Sequence, residues 1–348
     1  MDIVIAILAF CVIIIIHELG HFTAAKLCKI QVNEFALGMG PVIFRKQGKE
    51  TSYVIRLLPI GGSVSMEGED SDSDNPRAFN RKPVWQRMIV ILAGAFMNLV
   101  LGFIVVLISI CISSSPIAST TVSTFRDNAV SSSQLMINDE IAAIDGLPIF
   151  TSSDIVYKLQ NGGEKNADGN IAFDITVVRD GQTVKLNDVE FTTTTYEDGS
   201  NSIYFDFTVY PVEKGFLTVI SESGKEFLST ARLIIISLID LITGKYGLND
   251  LSGPVGVVQV VTQSVSYDWS VFFSIVSLIT INVGVFNLLP IPALDGCRFL
   301  FLIIEAIRRK PLKPETEGMV HFIGFALLMI LMLVVTVNDV IRLITAGG

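Results

Sequence analysis

Apolar residues run almost unbroken through four stretches of this chain, and polar residues collect between them. The first stretch runs from Ile3 to about Ala25, with polar residues in its second half. The second, Met88 to Ile112, contains no charged side chain. The third runs from about Trp269 to Leu289, where Pro290 breaks it, and the fourth from Met319 to about Val337. A bilayer core takes about 20 apolar residues per helix, so each stretch predicts a transmembrane helix. Leu233–Ile242 is too short to span and contains Asp240, so 219–243 reads as an amphipathic helix at the membrane surface. Phe299–Ile307 is also short and reads as a continuation of the third helix beyond its break. Met1-Asp2 offers no basic n-region and no small-residue cleavage site follows, so the first stretch reads as a mature helix, not a cleaved signal.

Between the second and third helices the pattern changes. Ile171–Arg179, Thr183–Leu186 and Ile203–Tyr210 are short β-rich runs, and Asp145-Gly146 and Asp180-Gly181 mark turns. Charge follows the same division. The 348 residues carry 34 acids and 25 bases, a net of −9, and residues 120–215 alone hold 15 acids and 6 bases. The whole excess therefore belongs to one polar segment, as expected for a water-soluble domain inserted between membrane helices. A chain half apolar and 17% charged is not a disordered one, and the acidic balance argues against nucleic acid as a partner. Nine Lys and Arg lie in residues 25–84, and Arg308, Arg309, Lys310 and Lys313 precede the fourth helix. The positive-inside rule puts both loops in the cytoplasm, and hence the inserted domain and both termini outside. Cys11, Cys28, Cys111 and Cys297 show no CxxC spacing and read as reduced, buried thiols.

Candidate chemistry lies inside the first apolar stretch. His17-Glu18-Leu19-Gly20-His21 reads HExxH and follows fourteen residues, Ile3–Ile16, without a charged side chain. On a helix, positions i and i+4 share a face, so two imidazoles can hold one Zn²⁺ while Glu18 reaches water as general base. Ionisable groups within a membrane helix are costly and usually functional. A hydrolytic zinc needs a third protein ligand. Asp295 is the candidate, in Asn287-Leu-Leu-Pro290-Ile-Pro292-Ala-Leu-Asp295-Gly296; the alternative is that Asp295 simply begins the cytoplasmic end of a helix. The two prolines break the helical ladder, and irregular backbone at membrane depth belongs where it lines a cavity. The Asn287 amide suits a substrate carbonyl or oxyanion. His321 stands alone and reads as an interfacial or packed histidine. Residues 66–74 hold five acids in nine positions without EF-hand spacing, and read as a solvated linker.

HExxH in the first membrane helix and NxxPxPxLDG in the third closely resemble the site-2 protease family of intramembrane zinc metalloproteases, in its bacterial RseP/RasP-type branch. The resemblance covers nearly the whole chain. It implies His17, His21 and Asp295 as zinc ligands, Glu18 as general base and Asn287 as a substrate-handling residue. Gly38-Met39-Gly40-Pro41 is similar to the family's Gly-rich cytoplasmic loop. Tyr53–Ser65, ending near Gly61 and Gly62, is similar to its membrane-associated β-hairpin, an edge on which unwound substrate can add as a strand. Gly94-Ala-Phe-Met-Asn98 resembles its GxxxN: the glycine allows close helix packing and Asn98 can hydrogen-bond between helices, packing being the simpler role. Ser252-Gly253-Pro254-Val255-Gly256 matches a family segment with no chemistry assigned. Ala129-Val130 and Asn138–Gly146 resemble the core of a PDZ domain, although Gln134–Asn138 replaces its usual glycine-led loop. Peptide capture and a size filter are equally good roles for such a domain.

The fold expected is thus a polytopic α-helical membrane protein of four transmembrane helices with an inserted mixed α/β extracytoplasmic PDZ domain and a membrane-associated β-hairpin. Its divisions are a protease core at 1–112, a PDZ-like domain at 113–214, an amphipathic interfacial segment at 215–268 and a second core segment at 269–348. The function expected is zinc-dependent cleavage of single-span proteins within the bacterial cytoplasmic membrane, after trimming on the outer side. Anti-sigma-factor-like regulators and remnant signal peptides are the substrates the resemblance implies, with the lipid bilayer as the other partner. The alternative is a catalytically silent PDZ scaffold.

Overall fold

The computed structural model describes residues 2–69, 71–166, 169–195, 201–245, 247 and 251–346. In chain order the elements are α1 (Asp2–Leu27), β1 (Val32–Gln47), β2 (Ser52–Met66), α2 (Val84–Ile112), β3 (Ile117–Phe125), β4 (Glu140–Ile144), β5 (Leu147–Pro148), α3 (Ser152–Asn161), β6 (Glu164–Lys165), β7 (Ile171–Arg179), β8 (Gln182–Phe191), β9 (Thr193–Thr195), β10 (Asn201–Ile203), β11 (Phe207–Val212), α4 (Phe216–Ile242), α5 (Pro254–Tyr267), α6 (Trp269–Leu288), α7 (Asp295–Arg308) and α8 (Pro314–Ala346). Among the described residues, α1, α2, α6 and α8 are the helices long and apolar enough to cross a membrane. They coincide with the four apolar stretches. The chain divides into two compact units, residues 1–109 with 234–348, and residues 110–233.

In the first unit, helices approach closely where side chains are absent. A Cβ on Gly20 of α1 would lie 2.3 Å from the Ala93 carbonyl oxygen of α2, and one on Gly102 of α2 would lie 2.5 Å from Ile281 of α6. Lipid offers no hydrophobic drive for helix association, so such contacts carry the packing. Ser109 of α2 adds hydrogen bonds to the Ser270 carbonyl (2.9 Å) and the Ser274 hydroxyl (2.7 Å) of α6. Asp339 of α8 is buried and accepts the N–H groups of Gly253 (3.2 Å) and Gly256 (2.8 Å) at the start of α5. That carboxylate explains the Ser252–Gly256 segment structurally. No disulfide forms among the described residues. Only Cys297 is buried, and Cys111 is exposed on α2, so the expectation of four buried thiols fails where the helix turns an apolar face outward.

Strands β1 and β2 are long enough to fold back on themselves. Glu34, Phe35, Ala36 and Leu37 have partners on both sides, Ser65–Gly62 on one and Ser52–Ile55 on the other, while Phe44–Gln47 pair with Ile55–Ser52. The segments therefore lie in the order 42–47, 52–56, 32–37, 62–66, with 62–66 at an edge. Gly38–Pro41, expected as a loop, lies within β1. Gly38 and Gly40 have φ of +85° and +86° and supply the bend, and a Cβ at Gly38 would meet the Leu58 carbonyl oxygen at 2.4 Å. The acidic stretch at 66–74 is also more structured than a solvated linker: Glu67 accepts from Asn33 and Ser73, and Glu69 pairs with Arg298. Asp70 lies outside the described residues.

The second unit is a sheet ordered β11-β3-β4-β7-β6, with β5 on β4 and β8 on β7; β9 and β10 pair separately. Its core holds Ile141, Ile144, Phe173, Ile175 and Phe191, and Leu135 from the replaced glycine-led segment is buried among them. The β-run expected over 203–210 is split between β10 and β11. Asp206, buried in the gap, accepts the backbone N–H (3.0 Å) and the hydroxyl (2.7 Å) of Ser131 instead of extending a strand.

The first part of α4 docks by its polar stripe. Asp154, fully buried at the start of α3, accepts N–H groups of Phe150 (2.7 Å) and Thr151 (3.1 Å) on one oxygen. The other takes the Ser229 hydroxyl and the Arg232 guanidinium (2.7 Å) of α4. Nearby, Ser153 donates to Glu226 (2.8 Å). On the opposite stripe Leu217, Leu228, Ile239 and Ile242 are exposed, the amphipathic pattern expected from the sequence.

Burial pushes the Glu226 carboxyl above the usual carboxylate range, outweighing the Ser153 bond. The folded form then holds this proton more tightly than the unfolded chain. The docking of α4 is accordingly strongest in acid and weakens as pH rises from the ordinary carboxylate value through the raised one. Glu226→Gln should remove that slope and leave the contact at neutral pH at least as firm as in the wild type. Asp154→Ala, which strands Arg232, should cost about 3–5 kcal/mol. Limited proteolysis of the full-length protein from about pH 5 to 8 reads both; an unchanged slope in Glu226→Gln would contradict the assignment.

Candidate metal centre

His17 and His21 share one face of α1 because they are four residues apart, and Glu18 stands beside that face. The His17 and His21 Nε2 atoms are 3.2 Å apart, and Asp295 Oδ2, at the first position of α7, lies 3.2 Å from each. Among the described residues this is the one group of three His, Cys, Asp or Glu side chains whose donor atoms converge for a metal ion. A tetrahedral ion with bonds of about 2.0–2.1 Å holds its ligands roughly 3.3 Å apart, so the triangle has the right edge.

The protonation pattern fits as well. His21 Nδ1 donates to the Val90 carbonyl oxygen (2.8 Å), which leaves Nε2 bare in the neutral ring. His17 Nδ1 lies 3.3 Å from the Asn98 amide nitrogen, while Asn98 Oδ1 is buried with no hydrogen-bond partner. Amide N and O are assigned from their surroundings. Exchanging them makes Oδ1 the acceptor of His17 Nδ1–H and leaves the second Nε2 bare. Asp295 Oδ2 lies within 3.2 Å of both Nε2 atoms, the spacing expected of three ligands of one ion. Two imidazole nitrogens and one carboxylate oxygen are a donor set suited to zinc.

The surroundings leave room for a peptide. A cavity of about 310 Å³ is lined by His17, Glu18, His21 and Asp295 together with Ser63–Met66. Gly62 lies against the general-base candidate: a Cβ there would be 2.6 Å from Glu18 Cγ and 3.2 Å from its Oε1. Gly94 does the same for His21, where a Cβ would lie 2.3 Å from Nε2.

Not every expected residue reaches the cavity wall. Asn287 turns back on its own helix and donates to the Val283 carbonyl oxygen (2.9 Å). Tyr53 is half exposed and packs edge-on against Phe22 (6.3 Å between ring centroids). Gly61, with φ +78°, faces the Met39 side chain. Conversely, Gly94, expected to pack helices, and Asn98, expected to pack or to hydrogen-bond between helices, touch the two histidines. The signal was an amide in the charge-free stretch Met88–Ile112, a group that must find a partner.

Comparison with known proteins adds an independent line. The sequence model of peptidase family M50 matches residues 5–331. A Clostridium acetobutylicum protein provisionally named a zinc metalloprotease is 37% identical, with 98% of this chain and 97% of that protein covered. The regulator of sigma-W protease RasP of Bacillus subtilis is 31% identical, with 97% of each covered. The zinc metalloprotease RasP of Bacillus licheniformis is 33% identical over 97% of this chain and 98% of its own length.

Asn98→Ala should weaken metal binding about 10- to 100-fold, the usual cost of losing a partner that orients a histidine. Gly94→Ala should displace the His21 ring and abolish binding. Metal content per protein by plasma mass spectrometry, over a chelator series, reads both. Wild-type retention in Gly94→Ala would remove His21 from the centre.

Proposed function

We propose that this chain, which belongs to peptidase family M50 and is a zinc metalloprotease, cuts single-span membrane proteins within the bilayer. In this reading His17, His21 and Asp295 hold the zinc and Glu18 is the general base. The observation that carries it is the convergence of three donor atoms at 3.2 Å beside Glu18 on a helix apolar enough to span a membrane. When bound, zinc supplies Lewis acidity that polarises the scissile carbonyl and acidifies water. Glu18 takes the proton from the attacking water and delivers it to the amine as the C–N bond breaks. Gly62, by lacking a side chain, lets the strand run against Glu18.

A helical substrate hides its carbonyls, so it must unwind before attack. The edge segment 62–66 supports a strand-addition reading: substrate would pair there, in the cavity, with its carbonyl toward the zinc ligands. Asn287 would join by exchanging Val283 for the substrate, and Tyr53 and Gly61 would act through the shape of the hairpin. We read residues 113–214 as a PDZ-like extracytoplasmic domain, with both termini outside. The same reading makes 1–112 and 269–348 the protease core and 215–268 an interfacial segment. Substrates would be proteins already trimmed outside, such as anti-sigma-factor-like regulators and remnant signal peptides. The relative named as a regulator of sigma-W protease supports that class.

Cleavage of a model single-span substrate by purified protein in detergent tests this reading. Glu18→Gln should lower the rate about 100- to 10,000-fold while retaining zinc. Equal cleavage by wild type and variant would overturn the mechanism.

A further inference from the structure

Asp295 sits at the start of a helix whose pose the chain itself does not fix. Between α6 and α7 run Pro290, Pro292 and Ala293, the last at φ +76°, so helical continuity cannot carry position across the break. Something else must hold the third corner of the triangle to within a fraction of an ångström.

Along α7, Asp295, Arg298, Leu302 and Glu305 recur at i, i+3, i+7 and i+10, one face of the helix. Leu302 is buried with Met66 and Ile91. Glu305 takes a two-bond contact from Arg87 of α2, one bond at 3.0 Å. Arg298 pairs with Glu69, whose side chain is 13% exposed. Through its other oxygen Glu69 accepts the N–H of Met66 (3.4 Å), the last residue of the edge strand. Glu69 and Arg298 both line the metal cavity, and with Ile91 they also line a second cavity of about 310 Å³ next to it.

We propose that the Glu69–Arg298 pair is a positioning latch: it fixes α7, and with it Asp295, against the strand on which substrate would pair. Arg87–Glu305 anchors the far end of α7 but does not touch that strand. The latch rests on the protease reading for its second function, substrate placement, and on the metal centre alone for its first. Neither residue acts on the reacting atoms; each acts through Asp295 and the 62–66 strand. Since a misplacement of about 1 Å can cost 100-fold in rate, a pair joining ligand helix to substrate strand is where such precision would be set.

Two readouts on full-length protein in detergent test it: the half-time of zinc loss to a chelator, and KM and kcat on a model single-span substrate. Glu69→Gln and Arg298→Met should each speed zinc loss about 10- to 100-fold and raise KM. The swap Glu69→Arg/Arg298→Glu should recover zinc retention toward wild type, and Arg298→Lys should fall between. Arg87→Met should speed zinc loss with KM unchanged. Wild-type zinc retention in both single variants, or a swap no better than they are, would overturn the latch. A wild type that holds zinc but cleaves nothing would count against the protease reading instead, and the zinc-loss arm would still judge the latch.

Discussion

The close contact of α1 with α2 is the interaction on which the centre depends. Gly20 brings the helices together, and α2 then meets the histidine face with Val90, Gly94 and Asn98, spaced i, i+4 and i+8 on one stripe. Each contributes something different. The Val90 carbonyl oxygen receives His21 Nδ1–H, the missing side chain of Gly94 makes room for the ring, and the Asn98 amide meets His17 Nδ1. A larger residue at either glycine would separate the helices or evict the ring. One packing solution thus sets distance, tautomer and orientation together, which is why the two Nε2 atoms point at the same spot.

The third corner obeys a different constraint. An uninterrupted helix through 288–295 would bury its polar backbone in itself and continue past the centre. Two prolines and a left-handed Ala293 interrupt it, and the new helix begins with Asp295. There a carboxylate also benefits from the N-terminal helix dipole. Loose backbone groups at the break need partners, and the Ala293 N–H finds His321 Nδ1 at 3.1 Å. His321 is therefore a support for the break, packed edge-on against Phe301 (5.7 Å), in keeping with the packed role expected for it.

What could be read in the sequence follows the range of the interactions. The four apolar helices, the β-rich insert and the HExxH face depend on local periodicity, and a single chain states them openly. Asp295 was readable because proline breaks and an acid within apolar sequence are costly without a purpose. Gly94 and Glu69 were not, and Gly62 and Asn98 only without their partners, because these contacts lie between elements that periodicity cannot pair. The strand β1 was hidden for a related reason. Gly38–Pro41 has the composition of a loop, and only its pairing across Leu58 and Arg56 keeps it in the sheet. Asn287 shows the converse: its spacing drew attention, but its amide has a nearer acceptor in its own helix.

The edge at 62–66 follows from the same economy of polar groups. A helix in lipid satisfies every backbone group internally, and each group left unpaired there costs several kcal/mol. On the intramembrane reading, a substrate unwound in open lipid would face that cost over a full turn. It escapes only where other backbone groups replace the lost ones. A strand edge is ordinarily a liability that proteins cover or charge. Here residues of that edge line one cavity with Glu18, His17 and His21, so on the proposed reading the place where an extended chain is tolerated and the place where its carbonyl is attacked would coincide. On that reading unwinding and chemistry would share one site, and a segment that resists unwinding, by strong helix propensity or by lacking glycine and proline, would be spared wherever its side chains fit.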